Sequence, residues 1–106
     1  MDWGFYDEEV PAEYFVHNLE HGGIVILYNC SEACDEVKTA LKAFQEIAPP
    51  EDQFNEVKLV ISPNSKIESP VIALAWGWEL DLQTVDPDLL SNFYLRYVDH
   101  GPELVP

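Results

Sequence analysis

The sequence predicts a small α/β domain with the element order β-α-β-β(β)-α, and three observations carry that reading. Residues 23–28, Gly-Ile-Val-Ile-Leu-Tyr, run apolar without alternation, as a strand covered on both faces requires. Val37, Ala40, Leu41, Phe44, Ile47 and Ala48 then recur at helical spacing. A second unbroken apolar run, Val71-Ile72-Ala73-Leu74-Ala75-Trp76, follows further on. A strand, a crossover helix and a strand in one sheet imply a right-handed parallel pair.

Taken in order, residues 1–10 set Trp3, Phe5 and Tyr6 around Gly4 and end in the acidic run Asp7-Glu8-Glu9, which reads as an extended segment docking its aromatics. Residues 11–21 read two ways. Pro11 at a first turn and Gly22 as a left-handed stop suit a short helix, whereas Tyr14-Phe15-Val16 is equally good strand material. After the strand at 23–28, Ser31 is placed to cap the long helix and Pro49-Pro50 ends it. Val57, Leu59 and Ile61 form one face of the next strand, with Ser62-Pro63-Asn64 as its turn. Pro70 introduces the strand at 71–76, and Gly77 marks a bulge or tight bend before Trp78-Glu79-Leu80-Asp81-Leu82 alternates as an edge strand. Asp86 as N-cap and Pro87 at the first helical position open a last helix in which Leu89, Leu90, Phe93, Tyr94 and Tyr97 face inward, with Gly101-Pro102 as its stop. A thioredoxin-like mixed sheet satisfies this order, and a ferredoxin-like two-layer sandwich is the alternative.

The 106 residues suit one domain, and their 47% hydrophobic and 12% aromatic content supplies one core. No stretch reaches the roughly 18 consecutive apolar residues of a membrane span. Twenty acidic residues stand against Lys38, Lys42, Lys58, Lys66 and Arg96, giving a formal charge of −15. Such a surface repels phosphate backbones, which argues against nucleic acid as a partner, and it concentrates cations at any acidic cleft.

The segment His17-Asn18-Leu19-Glu20-His21-Gly22-Gly23 is the predicted functional centre. His17 and His21 stand four apart, so on a helix both imidazoles share one face and suit one divalent or copper ion, with zinc the natural borderline metal. Glu20 is the adjoining carboxylate. The plainer reading is that the two histidines hydrogen-bond backbone carbonyls, with Glu20 as their partner. Acid-base work on a small molecule is a third. The literal string H-x-x-E-H is that of a metalloprotease class, but it is short and the chain lacks such an enzyme's scaffold. His100 beside Asp99 reads as a helix C-terminal cap, or as a further ligand if metal binds. Cys30 and Cys34 flank the start of the long helix, where a dipole favours a thiolate, yet their C-x3-C spacing is not that of the thioredoxin pair. They read as a structural thiol or plain disulfide, with redox work as the alternative. Tyr14, Trp76 and Trp78 are aromatic candidates to line a ligand or partner surface. No catalytic set is assigned.

The block Val16-His17-Asn18-Leu19-Glu20-His21-Gly22-Gly23-Ile24-Val25 resembles the V-H-N-L-E-H-G-G-V-V signature of a bacterial domain family of unknown function. The resemblance extends through Trp3-Gly4-Phe5-Tyr6, Ala73-Leu74-Ala75-Trp76-Gly77 and Gly101-Pro102-Glu103. Members often carry an N-terminal membrane helix, a linker and a Ser-Gly-Pro-His block ahead of the tryptophan-glycine-aromatic segment. The resemblance therefore implies an extracytoplasmic domain, tethered through an anchor upstream of these residues, in surroundings where Cys30 and Cys34 are open to oxidation. It implies no particular activity.

Overall fold

The computed structural model describes residues 1–29 and 34–106, apart from the side chain of Cys34. Its elements are β1 (Gly4–Phe5), α1 (Ala12–Glu20), β2 (Ile24–Tyr28), α2 (Cys34–Ile47), β3 (Leu59–Pro63), β4 (Val71–Ala75), β5 (Trp78–Leu82) and α3 (Pro87–Tyr97). The five strands form one mixed sheet in the order β1-β3-β2-β4-β5. β1 and β2 both run parallel to β3, whereas β4 is antiparallel to β2 and β5 to β4. The expected order is thus present, preceded by one further strand and one further helix.

Within residues 11–21, Ala12–Glu20 fold as a helix, with Pro11 and His21 at its two ends. Phe15, Asn18 and Leu19 are its buried residues, a spacing of three and four that a strand could not place on one face. The N-terminal aromatics supply the short β1, whose Gly4 and Phe5 pair with Val60 and Ile61.

Side-chain alternation along β2 divides the core into two layers. Ile24, Ile26 and Tyr28 pack with Leu41 and Phe44 of α2, with Leu90, Phe93 and Tyr94 of α3, and with Leu59, Ile61, Val71 and Ala73 of the neighbouring strands. Val25 and Leu27 point the other way, onto Phe15 and Leu19 of α1. Both faces of β2 are therefore covered, which is the reason its sequence is apolar at every position.

Three sequence expectations are corrected here. Ile47 and Leu89 are exposed rather than inward. In α2 the buried stripe runs through Leu41, Phe44 and Ala48, and Ile47 lies about 100° from its last member; in α3 the stripe is Leu90, Phe93 and Tyr94, and Leu89 is similarly displaced. The last helix stops at Tyr97, ahead of Gly101-Pro102, because Asp99 itself takes the left-handed conformation at φ 64°. Asp86 caps α3 as expected, accepting from the N–H groups of Asp88 at 3.1 Å and Leu89 at 3.2 Å. Gly77, at φ 83°, makes a two-residue hairpin turn with Trp76, so β4 ends at Ala75.

Candidate functional site

α1 delivers its last turn beside the amino end of β2. At that junction the chain must reverse, and Gly22 does so at φ 84°. A Cβ there would come within 2.6 Å of the Asp99 Cα, so the position needs glycine both for its backbone angle and for the approach of the chain after α3. Asn18, buried within the motif, donates from Nδ2 to the Met1 carbonyl at 3.0 Å, while its own carbonyl accepts from Gly23 N–H at 2.9 Å. The asparagine therefore acts as a splint between α1, the turn and the first residues.

His17 and His21 share one face of this turn, as the spacing predicts, with ring centroids 4.4 Å apart and planes tilted by 53°. His17 is exposed and His21 half-buried. Nδ1 of His21 lies 3.0 Å from the main-chain oxygen of Pro106, and Nε2 lies 3.4 Å from the Glu103 carboxylate. The carboxylate that reaches the imidazole is thus Glu103. Glu20 joins through its backbone, its carbonyl accepting from Glu103 N–H at 3.0 Å.

Residues 99–106 form a strap across the junction. Asp99 N–H donates to the Gly22 carbonyl at 2.8 Å, and Gly101 packs so closely on Glu20 and Gly22 that a Cβ would meet the Glu20 carbonyl oxygen at 2.5 Å. Beneath the strap lies Lys58, fully buried just ahead of β3. Its ammonium has three N–H donors and three oxygen partners: the His21 carbonyl at 3.0 Å, Asp99 Oδ1 at 2.5 Å and the Val105 carbonyl at 2.8 Å. The Phe54 ring sits 4.6 Å from Nζ. One cation therefore ties together the α1–β2 turn, the end of α3 and the strap.

Asp99 also meets Glu51, and the two carboxyls are pushed apart in acidity. Burial raises the Asp99 carboxyl, with Glu51 adding to the effect against the pull of Lys58. Burial would raise Glu51 too, but the Asp99 carboxyl and the N–H groups of Phe54, Glu56 and Gln53 outweigh it and bring Glu51 down to about 2. Those N–H groups lie 2.7 to 3.0 Å from the carboxylate oxygens, a backbone nest for an anion. Tyr94 closes the cluster. Its hydroxyl donates to the Pro49 carbonyl at 2.8 Å, and burial pushes it up to about 12.

This geometry separates several residues that the sequence grouped. His100 is exposed and lines a shallow polar depression with Asp52, Gln53 and Leu104, while its N–H donates to the Tyr97 carbonyl at 3.2 Å. Among the described residues, no three His, Cys, Asp or Glu side chains are preassembled around one ion position. Tyr14, 55% exposed, lines a depression with Tyr6 and Val10, whereas Trp76 and Trp78 belong to the β4–β5 hairpin, where Trp78 stacks on Tyr97 at 5.0 Å. They do not line one pocket. Cys30 lies outside the described residues, and so does the side chain of Cys34.

A family model described as a protein of unknown function, DUF3105, matches residues 1–105. The chain belongs to this family. Neither a curated protein nor a solved structure matches it. In this DUF3105 domain the residues that sequence reasoning missed are Lys58, Glu51 and Glu103. Lys58 carried a legible signal, since it is the one basic residue inside the apolar run Val57-Lys58-Leu59-Val60-Ile61. Glu51 and Glu103 carried none that distinguishes them from the other acids, because a backbone nest and a chain crossing are properties of the fold.

Proposed function

We propose that this domain binds one divalent or copper ion through the imidazoles of His17 and His21. The observation that carries the reading is the pair itself: two rings 4.4 Å apart at the last turn of α1, with His17 open to solvent. Two supports are electrostatic. Carbonyls at a helix C-terminus favour a cation, and the formal charge of −15 raises cation concentration over the surface. Imidazole donors select zinc or copper over calcium or magnesium. Calorimetric titration of the wild type and of His17→Ala/His21→Ala with zinc and copper tests the reading. Saturable uptake of one ion per chain, lost in the double variant, is the expected result; equal uptake by both proteins refutes it.

The finer fold we propose is the thioredoxin-like one. Its support is the parallel β1-β3-β2 group extended by an antiparallel hairpin, with α1 on one face and α2 and α3 on the other. A second reading follows from it, thiol redox work by Cys30 and Cys34. α2 begins at Cys34, and a helix N-terminus is where a dipole favours a thiolate. Turnover in an insulin-reduction assay supports it, and a disulfide inert to thioredoxin-range reductants counts against it. The hairpin tryptophans, 45% and 57% exposed, favour a third reading as a partner-docking module, tested by a pull-down that Trp78→Ala abolishes. Tethering outside the cytoplasm fits any of the three, and fractionation of the full-length protein tests it.

A further inference from the structure

We propose that the open edge of β5 receives an extended, basic segment of a partner protein as an added strand of the sheet. The inference rests on the reading of the hairpin tryptophans as a docking surface, and adds to it the class of partner and the way it is held.

β5 ends the strand order, and among the described residues its backbone makes no hydrogen bond beyond its ladder to β4. Ala75 and Trp78 close the hairpin turn, so they form a hydrogen-bonded pair, and such pairs alternate with non-bonded ones along an antiparallel ladder. Leu80 and Leu82 therefore bond inward, whereas Glu79 and Asp81 turn their N–H and C=O groups to the open edge. That alternate spacing is what an added strand completes. β5 carries neither Lys nor Pro, and no bulge breaks its register, so it lacks the usual devices that close an edge to every partner. Side chains of an added strand fall alternately on the two faces of the sheet, one set beside Trp78 and Leu80 and the other beside Glu79 and Asp81.

The first face offers an aromatic seat, because Trp78 stays largely exposed although it stacks on Tyr97. The second face is acidic. Glu79 and Asp81 form no ion pair among the described residues, and the hydrogen bond and charge of the Asp81 carboxyl raise the Glu79 carboxyl above its ordinary value. Ser69 Oγ donates to Asp81 Oδ2 at 3.4 Å. A second copy of this chain is a poor occupant. β5 against β5 sets Glu79 across from Asp81, and like charges directly opposite destabilise a strand pair. Each copy also carries the same formal charge of −15. A strand with Lys or Arg at alternate positions meets the opposite condition, setting cations beside both carboxylates while the apolar residues between them lie against Trp78 and Leu80.

Titration with an end-blocked peptide of about seven residues alternating Lys and Val, an ordinary strand length, tests the inference. One comparator replaces its Lys by Glu, and another groups the same Lys at one end, keeping the charge and losing the alternation. The alternating Lys peptide is expected to bind the wild type, and Glu79→Gln/Asp81→Asn to weaken it by about 3- to 10-fold, the worth of two cross-strand charge pairs. At saturation, hydrogen exchange at the Glu79 and Asp81 amides should slow by about tenfold, the effect of one added hydrogen bond at each, while Leu80 stays unchanged. Absence of binding, equal binding of either comparator, or unslowed exchange at both amides overturns the inference, and the docking reading is then judged separately by the Trp78→Ala pull-down. Equal binding of the alternating peptide by the wild type and Trp78→Ala overturns the tryptophan reading beneath it.

Discussion

Replacing Lys58 by methionine keeps the length and apolar stem of the side chain and removes only the ammonium. Three oxygens lose their partner: the His21 and Val105 carbonyls and the Asp99 carboxylate. The carbonyls are a modest loss, on the order of 1 kcal/mol each. Asp99 suffers more, because its largely covered side chain stays beside the Glu51 carboxylate with no cation to offset either charge. Breaking a buried ion pair from one side costs about 3–5 kcal/mol, a large part of the total stability of a domain of this size. A melting temperature lower by roughly 15–25 °C is expected. Thermal unfolding followed by the fluorescence of Trp3, Trp76 and Trp78 measures the shift, and urea unfolding measures the loss of stability. The penalty should shrink in mild acid, because without Lys58 the Asp99 carboxyl in the folded protein titrates further above its unfolded value. Below that unfolded value the acid is protonated in both states and the added cost disappears. Lys58→Met/Asp99→Asn should recover part of the loss. A single Lys58→Met variant within about 1 kcal/mol of the wild type refutes the assignment of Lys58 as the central tie.

In the intact protein, Glu51 titrates at about 2 rather than the ordinary 4.5, so its contribution to stability is present above pH 4.5 and is lost as the pH falls toward 2. A Glu51→Gln variant should lack that acid limb in a pH series of urea midpoints. At the other end, Tyr94 titrates at about 12 against an ordinary 10, so its contribution is complete below pH 10 and disappears between about 10 and 12. Tyr94→Phe should flatten this alkaline limb in the same series. Gly22→Ala forces a Cβ into the Asp99 backbone at a left-handed φ and should cost about 2–4 kcal/mol by thermal melting.

Much of the fold was legible because its signals are local. The unbroken run at 23–28, the helical stripe from Val37 to Ala48 and the Asp86-Pro87 start of α3 each name an element from neighbouring residues alone. Residues 11–21 were not, since Tyr14-Phe15-Val16 satisfies strand and helix propensities alike. The decision falls to Phe15 and Leu19, which find Val25 and Leu27 across the layer. The candidate site divides in the same way. His17 and His21 meet because four residues make about one helical turn, which sequence spacing states directly. Glu103 meets His21 from the far end of the chain, and no local pattern encodes that crossing. Glu20 was the natural carboxylate to assign from adjacency. The backbone bond between Glu103 and Glu20 instead sets the later residue beside the ring.

The most direct test of a cation site at the end of α1 is zinc and copper binding at neutral pH by the wild type against His17→Ala/His21→Ala. One saturable ion per chain, absent from the double variant while its urea midpoint stays close to that of the wild type, is the predicted result. The same ion uptake by both proteins would contradict it.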